Sequence, residues 1–242
     1  MLLNVDFTIS GVHAGITTRL GGVSQAPFDG FNLAGHVGDD QSAVEQNRTL
    51  LVQLANLPQM PQFLNQTHTT EVARLPCEGT PNADAAYTNE SGVVCAVLTA
   101  DCLPVLFAAK SGREVAAAHA GWRGLCNGVL ENTVAQFASP AEEIVAYLGP
   151  AIGKSAFQVG EEVREAFIKA DAQAASAFVN DENEQGKFFA DIYQLARQRL
   201  QKCGLREIRG GEFCTVNDAR FFSYRRANPT GRMASFIYFN LR

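Results

Sequence analysis

The chain predicts an α+β fold, a mixed α/β sandwich, on two observations. Three β-rich runs, "GVVCAVLTA" (92–100), "LPVLFAA" (103–109) and "EVAAAHAG" (114–121), follow one another with only a short break and a "KSGRE" turn between them, as hairpin strands do. Segments with helical spacing interrupt the strands at irregular intervals, so hairpins and strand–helix–strand units share one chain, which disfavours a regular doubly wound sheet.

In chain order, "GVHAGITTRLGGVS" (11–24) reads as a strand running into a Gly-Gly turn. "SAVEQNRTLLVQLANL" (42–57) reads as a helix, with Ser42 as N-cap, Glu45 completing a capping box, and Val44, Leu51, Val52 and Leu54 on its apolar face. After the three strands, "WRGLCNGVLENTVAQFA" (122–138) places Leu125, Val129, Leu130, Val134 and Phe137 at helical spacing. Ser139 and Pro140 offer a second helix start, as cap and first residue. "IVAYLGPAI" (144–152) is a buried strand ending in a Gly-Pro turn. "GEEVREAFIKA" (160–170) and "DIYQLARQRLQKCG" (191–204) are helices, the second stopped by Gly204. "RMASFIYFNLR" (232–242) closes the chain as a strand. No repeat, low-complexity stretch or linker divides it, so residues 1–242 read as a single domain.

Composition excludes some functions. Net charge is −5, which argues against a nucleic-acid partner while leaving room for an anionic small molecule held by a few arginines. The N-terminus lacks a basic n-region and an unbroken apolar run, and the longest apolar run, 93–109, is broken by Asp101 and Pro104, so neither secretion nor a membrane span is expected. The six cysteines are scattered without a CxxC pair, as expected of free thiols in a cytoplasmic protein.

The chemistry concentrates in "TADCLPVLFAAKSGREVAAAHAGWRGL" (99–125). A carboxylate is costly to bury unpaired, so Asp101 is expected at a strand end, at a pocket mouth. Pro104 cannot donate to a ladder and points to an edge or a break there. Cys102 shares that break, and His119 ends the next strand. His68, in "FLNQTHTTEV", is a second histidine of interest. Two histidines and a cysteine suit a zinc site with an open position, although spacings of 34 and 17 residues do not by themselves fix a geometry.

"TTRLGGVS", "FNLAGHVGDD", "QTH", "TADCLPVL", "AHAGWRG", "LGPAIG" and "FFSYRRANPTGR" resemble the YfiH family, also called the multicopper polyphenol oxidase or laccase-domain family, from about residue 11 to the C-terminus. The resemblance implies a fold like that of the cytotoxic necrotizing factor toxins and a zinc site on His68, Cys102 and His119. It implies phosphorolysis of adenosine, inosine and methylthioadenosine, with deamination of adenosine. Thr69 and Ala227 stand where the family usually has Gly and often has Asp. Asp101 is then the candidate for proton transfer or ligand orientation beside Cys102 and His119. Inorganic phosphate calls for an arginine fork. Arg19 and Arg123 are the candidates, with the amides of Gly21 and Gly22 assisting and Arg225 or Arg226 as a further option. His36 is a candidate for lining the pocket, and "FFSY" for stacking a purine. Four histidines are too few for a multicopper cluster, so copper chemistry reduces to one Cu2+ at the zinc ligands and a laccase-like phenol oxidation. Two further readings use the same residues: a Cys102–His119 hydrolase or amidase in peptidoglycan precursor editing, and a closed structural zinc on a binding protein.

Overall fold

The computed structural model describes residues 1–241. In chain order the elements are β1 (Leu2–Val5), β2 (Val12–Thr17), α1 (Gln41–Leu54), β3 (Val72–Arg74), β4 (Ala85–Thr88), β5 (Cys95–Thr99), β6 (Leu103–Ala109), β7 (Val115–Ala120), α2 (Trp122–Asn127), α3 (Val129–Val134), β8 (Ile144–Leu148), β9 (Gln158–Gly160), α4 (Glu161–Ala170), β10 (Phe178–Asn180), β11 (Lys187–Ala190), α5 (Ile192–Lys202), β12 (Glu207–Gly210) and β13 (Met233–Phe239). They form a six-stranded sheet in the order β12-β8-β6-β7-β4-β3, a four-stranded sheet β1-β2-β13-β5 and a small sheet β10-β11-β9.

Residue alternation along the buried strands explains how the layers stack. In β6, Leu106 and Ala108 pack with Cys95 and Val97 of β5 and with Ile237 and Phe239 of β13, which fills the space between the two large sheets. The other β6 face, Val105 and Phe107, packs with Leu125, Val129, Phe167 and Leu195 of the helices. Ala96 and Leu98 of β5, with Ala234 and Phe236 of β13, turn the opposite way and meet Leu51 of α1 and the Phe31–Leu33 segment. The result is a helix–sheet–sheet–helix sandwich. Strands buried on both faces read as unbroken apolar runs, as these do.

The β6–β7 hairpin forms at the "KSGRE" turn as expected, with Leu103 opposite Ala120 and Pro104 opposite His119. Between β5 and β6 the chain crosses from the four-stranded sheet to the six-stranded one, and Ala100–Cys102 is the crossing. The break read from Asp101 is therefore a change of sheet.

Several local expectations are corrected. The N-cap of α1 is Asp40, whose side chain accepts from the Ala43 amide, and not Ser42. Leu54 is exposed, and Asn47 is buried in its helix instead, binding the Val23 amide and the carbonyls of Gly30 and Asn32. The single helix read over 122–138 is two six-residue helices, because Gly128 adopts φ 107° between them. Ser139 starts no α-helix; it binds the buried Glu114 carboxylate, and only a 3₁₀ turn follows at Ala141–Glu143. Pro104 lies in a central strand, not at an edge. Its own carbonyl is bonded by the Gly149 amide just past the end of β8, so the missing N–H falls where the β8 ladder has already stopped. Arg225 and Arg226 lie in a turn. Among the described residues no helix is long and apolar enough to cross a membrane.

Candidate metal centre

His68, Cys102 and His119 come together where the strands stop. Their ligand atoms all lie within 4.8 Å of one another, and this is the group of His, Cys and carboxylate side chains that could share an ion among the described residues. Cys102 comes from the sheet crossing, His119 from the penultimate position of β7, and His68 from the loop before β3. Cys102 Sγ lies 3.8 Å from His68 Nε2, and the two imidazoles meet edge to face at 4.9 Å. His119 is buried, Cys102 half-buried and His68 exposed, so the group opens to one side.

Asp84, a residue that sequence reasoning missed, organises two of the three. It is fully buried just before β4. Its Oδ1 accepts from His119 Nδ1 at 2.7 Å and from the His68 amide at 3.1 Å. Its Oδ2 accepts from the Thr67 and Thr69 amides and from Thr69 Oγ1. Three successive amides converging on one carboxylate form an anion nest, which holds His68 at φ 64°, in the left-handed region. Thr69 adds a hydroxyl to that nest. The signal for Asp84 was present in the sequence: an aspartate inside the small apolar run "ADAAY" needs a partner.

Electrostatics follow from these contacts. Burial raises the Asp84 carboxyl, but the bonds and charge of His119 and the Thr69 donors outweigh it and bring it down to about 2. Asp84 is therefore ionised at neutral pH and accepts from His119 Nδ1–H, which leaves Nε2 as the nitrogen that would bind an ion once it gives up its own proton. Burial also raises the Cys102 thiol, yet the His119 charge and bonds to His119 and His68 bring it down to about 6. Burial lowers His119, and the Cys102 charge and the Asp84 bond reverse this, raising it to about 9. A thiolate and two outward imidazole nitrogens, one set by a carboxylate, fit a borderline-soft divalent ion such as zinc.

The centre forms one wall of a cavity of about 380 Å³, within the range of small-molecule sites. Asp101, His36 and Arg225 also line it, with Gln66, Trp122, Tyr224 and Arg232. Asp101 is buried at φ 83°, and both carboxylate oxygens are engaged: Oδ1 by Thr215 Oγ1 at 2.5 Å and Oδ2 by the Arg225 amide at 2.7 Å. It ties the C-terminal loop to the Cys102 crossing. Of "FFSY", Phe221 and Phe222 are core, and Tyr224 is 52% exposed at the cavity.

Other candidate residues are not brought to the cavity. Arg19 binds the Asp29 carboxylate and carbonyl, 2.7 and 2.8 Å away. Gly21 and Gly22 take φ 78° and 76° and pack against the Gly30 backbone. Arg123 lies exposed over the Trp122 ring.

A sandwich with a His–Cys–His group that could hold a metal ion, on the wall of a strand-end cavity, is the class of protein that this fold and site define. Residues 13–240 match the family model described as multi-copper polyphenol oxidoreductase laccase, and the chain belongs to that family. It is 57% identical over 230 residues to a Haemophilus influenzae protein named purine nucleoside phosphorylase, covering 94% of each chain. It is 55% identical over 231 residues to Escherichia coli "Purine nucleoside phosphorylase YfiH", again covering 94% of each. The crystal structure of a Neisseria meningitidis protein, NMB0706, matches with a TM-score of 0.95 at 48% identity, covering 99% of both chains. YlmD of Geobacillus stearothermophilus matches with a TM-score of 0.83 at 30% identity, covering 98% of this chain and 94% of its own.

Proposed function

We propose that this chain is a single-domain, zinc-dependent purine nucleoside phosphorylase that also deaminates adenosine. The observation that carries the reading is the His68–Cys102–His119 donor set on the wall of a nucleoside-sized cavity, in a chain more than half identical to proteins of that name. Substrates would be adenosine, inosine and methylthioadenosine with phosphate. In phosphorolysis the bond from C1′ to the purine nitrogen breaks, a bond from C1′ to a phosphate oxygen forms, and the purine leaves with a proton.

The residues divide the work. His68, Cys102 and His119 would hold the ion, which supplies Lewis-acid polarisation of an oxygen in the cavity. Asp84 fixes the His119 tautomer and the His68 loop. Of the two roles expected of Asp101, proton transfer or ligand orientation, the engagement of both its oxygens supports a positioning one: it holds the Arg225 loop to the Cys102 crossing. Tyr224 and Trp122 offer aromatic faces to a purine. Cu2+ could take the same three ligands. Free thiols at all six cysteines accord with a cytoplasmic site of action.

The test is incubation of the zinc-loaded protein with each nucleoside and phosphate, followed by chromatography. Free base with ribose 1-phosphate is expected, and inosine from adenosine without phosphate. Unchanged nucleosides at full zinc occupancy would overturn the reading. A second reading, a Cys102–His119 amidase, is favoured by the thiol brought down to about 6 beside two imidazoles. Amide hydrolysis that survives metal removal and stops on alkylation of Cys102 would select it.

A further inference from the structure

Of the four arginines that sequence reasoning offered for phosphate, three are already committed and the fourth does not line the cavity. Arg19 is held by Asp29. The Arg226 fork is spent on the carbonyls of Thr215, Val216 and Phe221. Arg225 lines the cavity, but Nη1 and Nη2 both bond the Gln158 carbonyl, and Nη1 that of Ala156. Arg123 lies over Trp122, away from the cavity.

Arg232 differs. It is half-buried just before β13 and lines the same cavity as the donor set. Only its Nη1 is bonded, to the carbonyls of Thr230 and Gly231 at 2.8 and 3.1 Å. Nε and Nη2 have no hydrogen-bond partner among the described residues, and no carboxylate there lies within ion-pair distance. The nearby Asp101 oxygens are taken by Thr215 and Arg225. The Cys102 thiolate and the Asp101 carboxylate act on this guanidinium only from beyond hydrogen-bond reach, so its uncommitted N–H pair on a cavity wall suits an anionic ligand.

The neighbouring loop strengthens the case. The Arg232 amide donates to Asn32 Oδ1, and the Leu33 amide to the Arg232 carbonyl, which laces the 32–36 segment to this position. That segment brings His36 to the cavity. Burial, then Arg232 and Arg48, lower His36, so its ring stays neutral at pH 7 and has an N–H to donate.

We propose that Arg232, assisted by His36, is the anion subsite of the cavity and takes the inorganic phosphate. The phosphate role rests on the phosphorylase reading; the anion site does not. Arg232 supplies two donors in a fixed fork, and the neutral His36 on the same cavity adds a third.

The test uses the zinc-loaded protein and inorganic phosphate, with Arg232→Gln and Arg232→Lys, each checked by thermal unfolding. Phosphate Kd is read by calorimetry, and KM for phosphate and for inosine from initial rates. Arg232→Gln is expected to raise phosphate Kd and KM about 10- to 100-fold, with the inosine KM changed less than about twofold. Arg232→Lys, which keeps the charge and loses the fork, should fall between. Unchanged phosphate Kd in Arg232→Gln, or phosphate binding that only Cys102→Ser removes, would overturn the assignment. If Arg232→Gln does not fold, an unchanged Kd in Arg232→Lys overturns it. Phosphate binding lost in Arg232→Gln by a protein that cleaves no nucleoside would keep the subsite and sink the phosphorylase reading. A wild-type protein that binds no phosphate sinks the subsite whatever its activity.

Discussion

Replacing Asp84 by Asn keeps the side chain's size and shape and removes one acceptor. Oδ1 now serves His119 Nδ1 and the His68 amide, and Oδ2 serves the Thr67 and Thr69 amides with Thr69 Oγ1. If the asparagine oxygen takes the Oδ1 place, its NH2 faces two backbone N–H groups. Thr69 Oγ1 can turn and accept, but both amides lose their partner. If the amide flips, its NH2 faces His119, which must give up Nδ1–H, protonate Nε2 and so lose the lone pair that would hold the ion. Each orphaned donor costs about 1–3 kcal/mol, and water reaching the half-exposed loop offsets part of it, so about 3 kcal/mol in all is expected. At about 2–4 °C per kcal/mol for a chain of this length, the metal-free protein should melt about 6–12 °C lower. Loss of a carboxylate behind a ligating histidine should weaken zinc about 10- to 100-fold. Thermal scans of metal-free and zinc-loaded protein, with chelator competition, measure both. A melting change under about 2 °C together with a zinc affinity within about twofold of wild type would refute the reasoning.

Two further predictions test other parts of the structure. Gly121 has φ −62°, which any residue adopts, so Gly121→Ala tests space alone: the new Cβ would lie 2.6 Å from His68 Cδ2 and 3.1 Å from Cys102 Sγ. Because His68 is exposed and can swing away, the variant should fold and yet lose about tenfold or more in zinc affinity, with an altered cobalt absorption spectrum; an unchanged spectrum would count against the geometry. Glu114 is buried, and burial raises it, but the donors Ser139, Tyr87 and the Ala138 amide lower it further, so its folded pKa lies below its unfolded one. Its contribution is then present above the ordinary glutamate range and is lost as pH falls through the folded value. Denaturant unfolding of wild type and Glu114→Gln should show a gap that is widest at neutral pH and closes in acid, whereas a gap independent of pH would exclude this linkage.

Much of the scaffold was legible because its signals are local. The strands around 92–121 are unbroken small apolar runs, and the "KSGRE" turn forces β6 and β7 into a hairpin whatever surrounds them. The start of α1 was missed: Ser42 reads as the cap because Glu45 follows it, but the Asp40 side chain accepts from the Ala43 amide and the helix begins at Gln41. The helix over 122–138 was broken by one glycine at φ 107°, a conformation that periodicity does not register.

The site divides in the same way. The sequence by itself determined which residues could bear chemistry: a carboxylate and thiol at a strand break, a histidine at a strand end, and too few histidines for a copper cluster. Tertiary structure alone decided how they meet. The sheet crossing at Ala100–Cys102 carries Cys102 to His119, and Asp84, 35 residues before His119, fixes both that ring and the His68 loop. It also decided which arginine stays uncommitted, since the forks of Arg19, Arg225 and Arg226 are taken by groups that only folding brings near. The physical reason is that a residue's type sets what bonds it can make, while whether those bonds are already satisfied depends on partners distant in the chain.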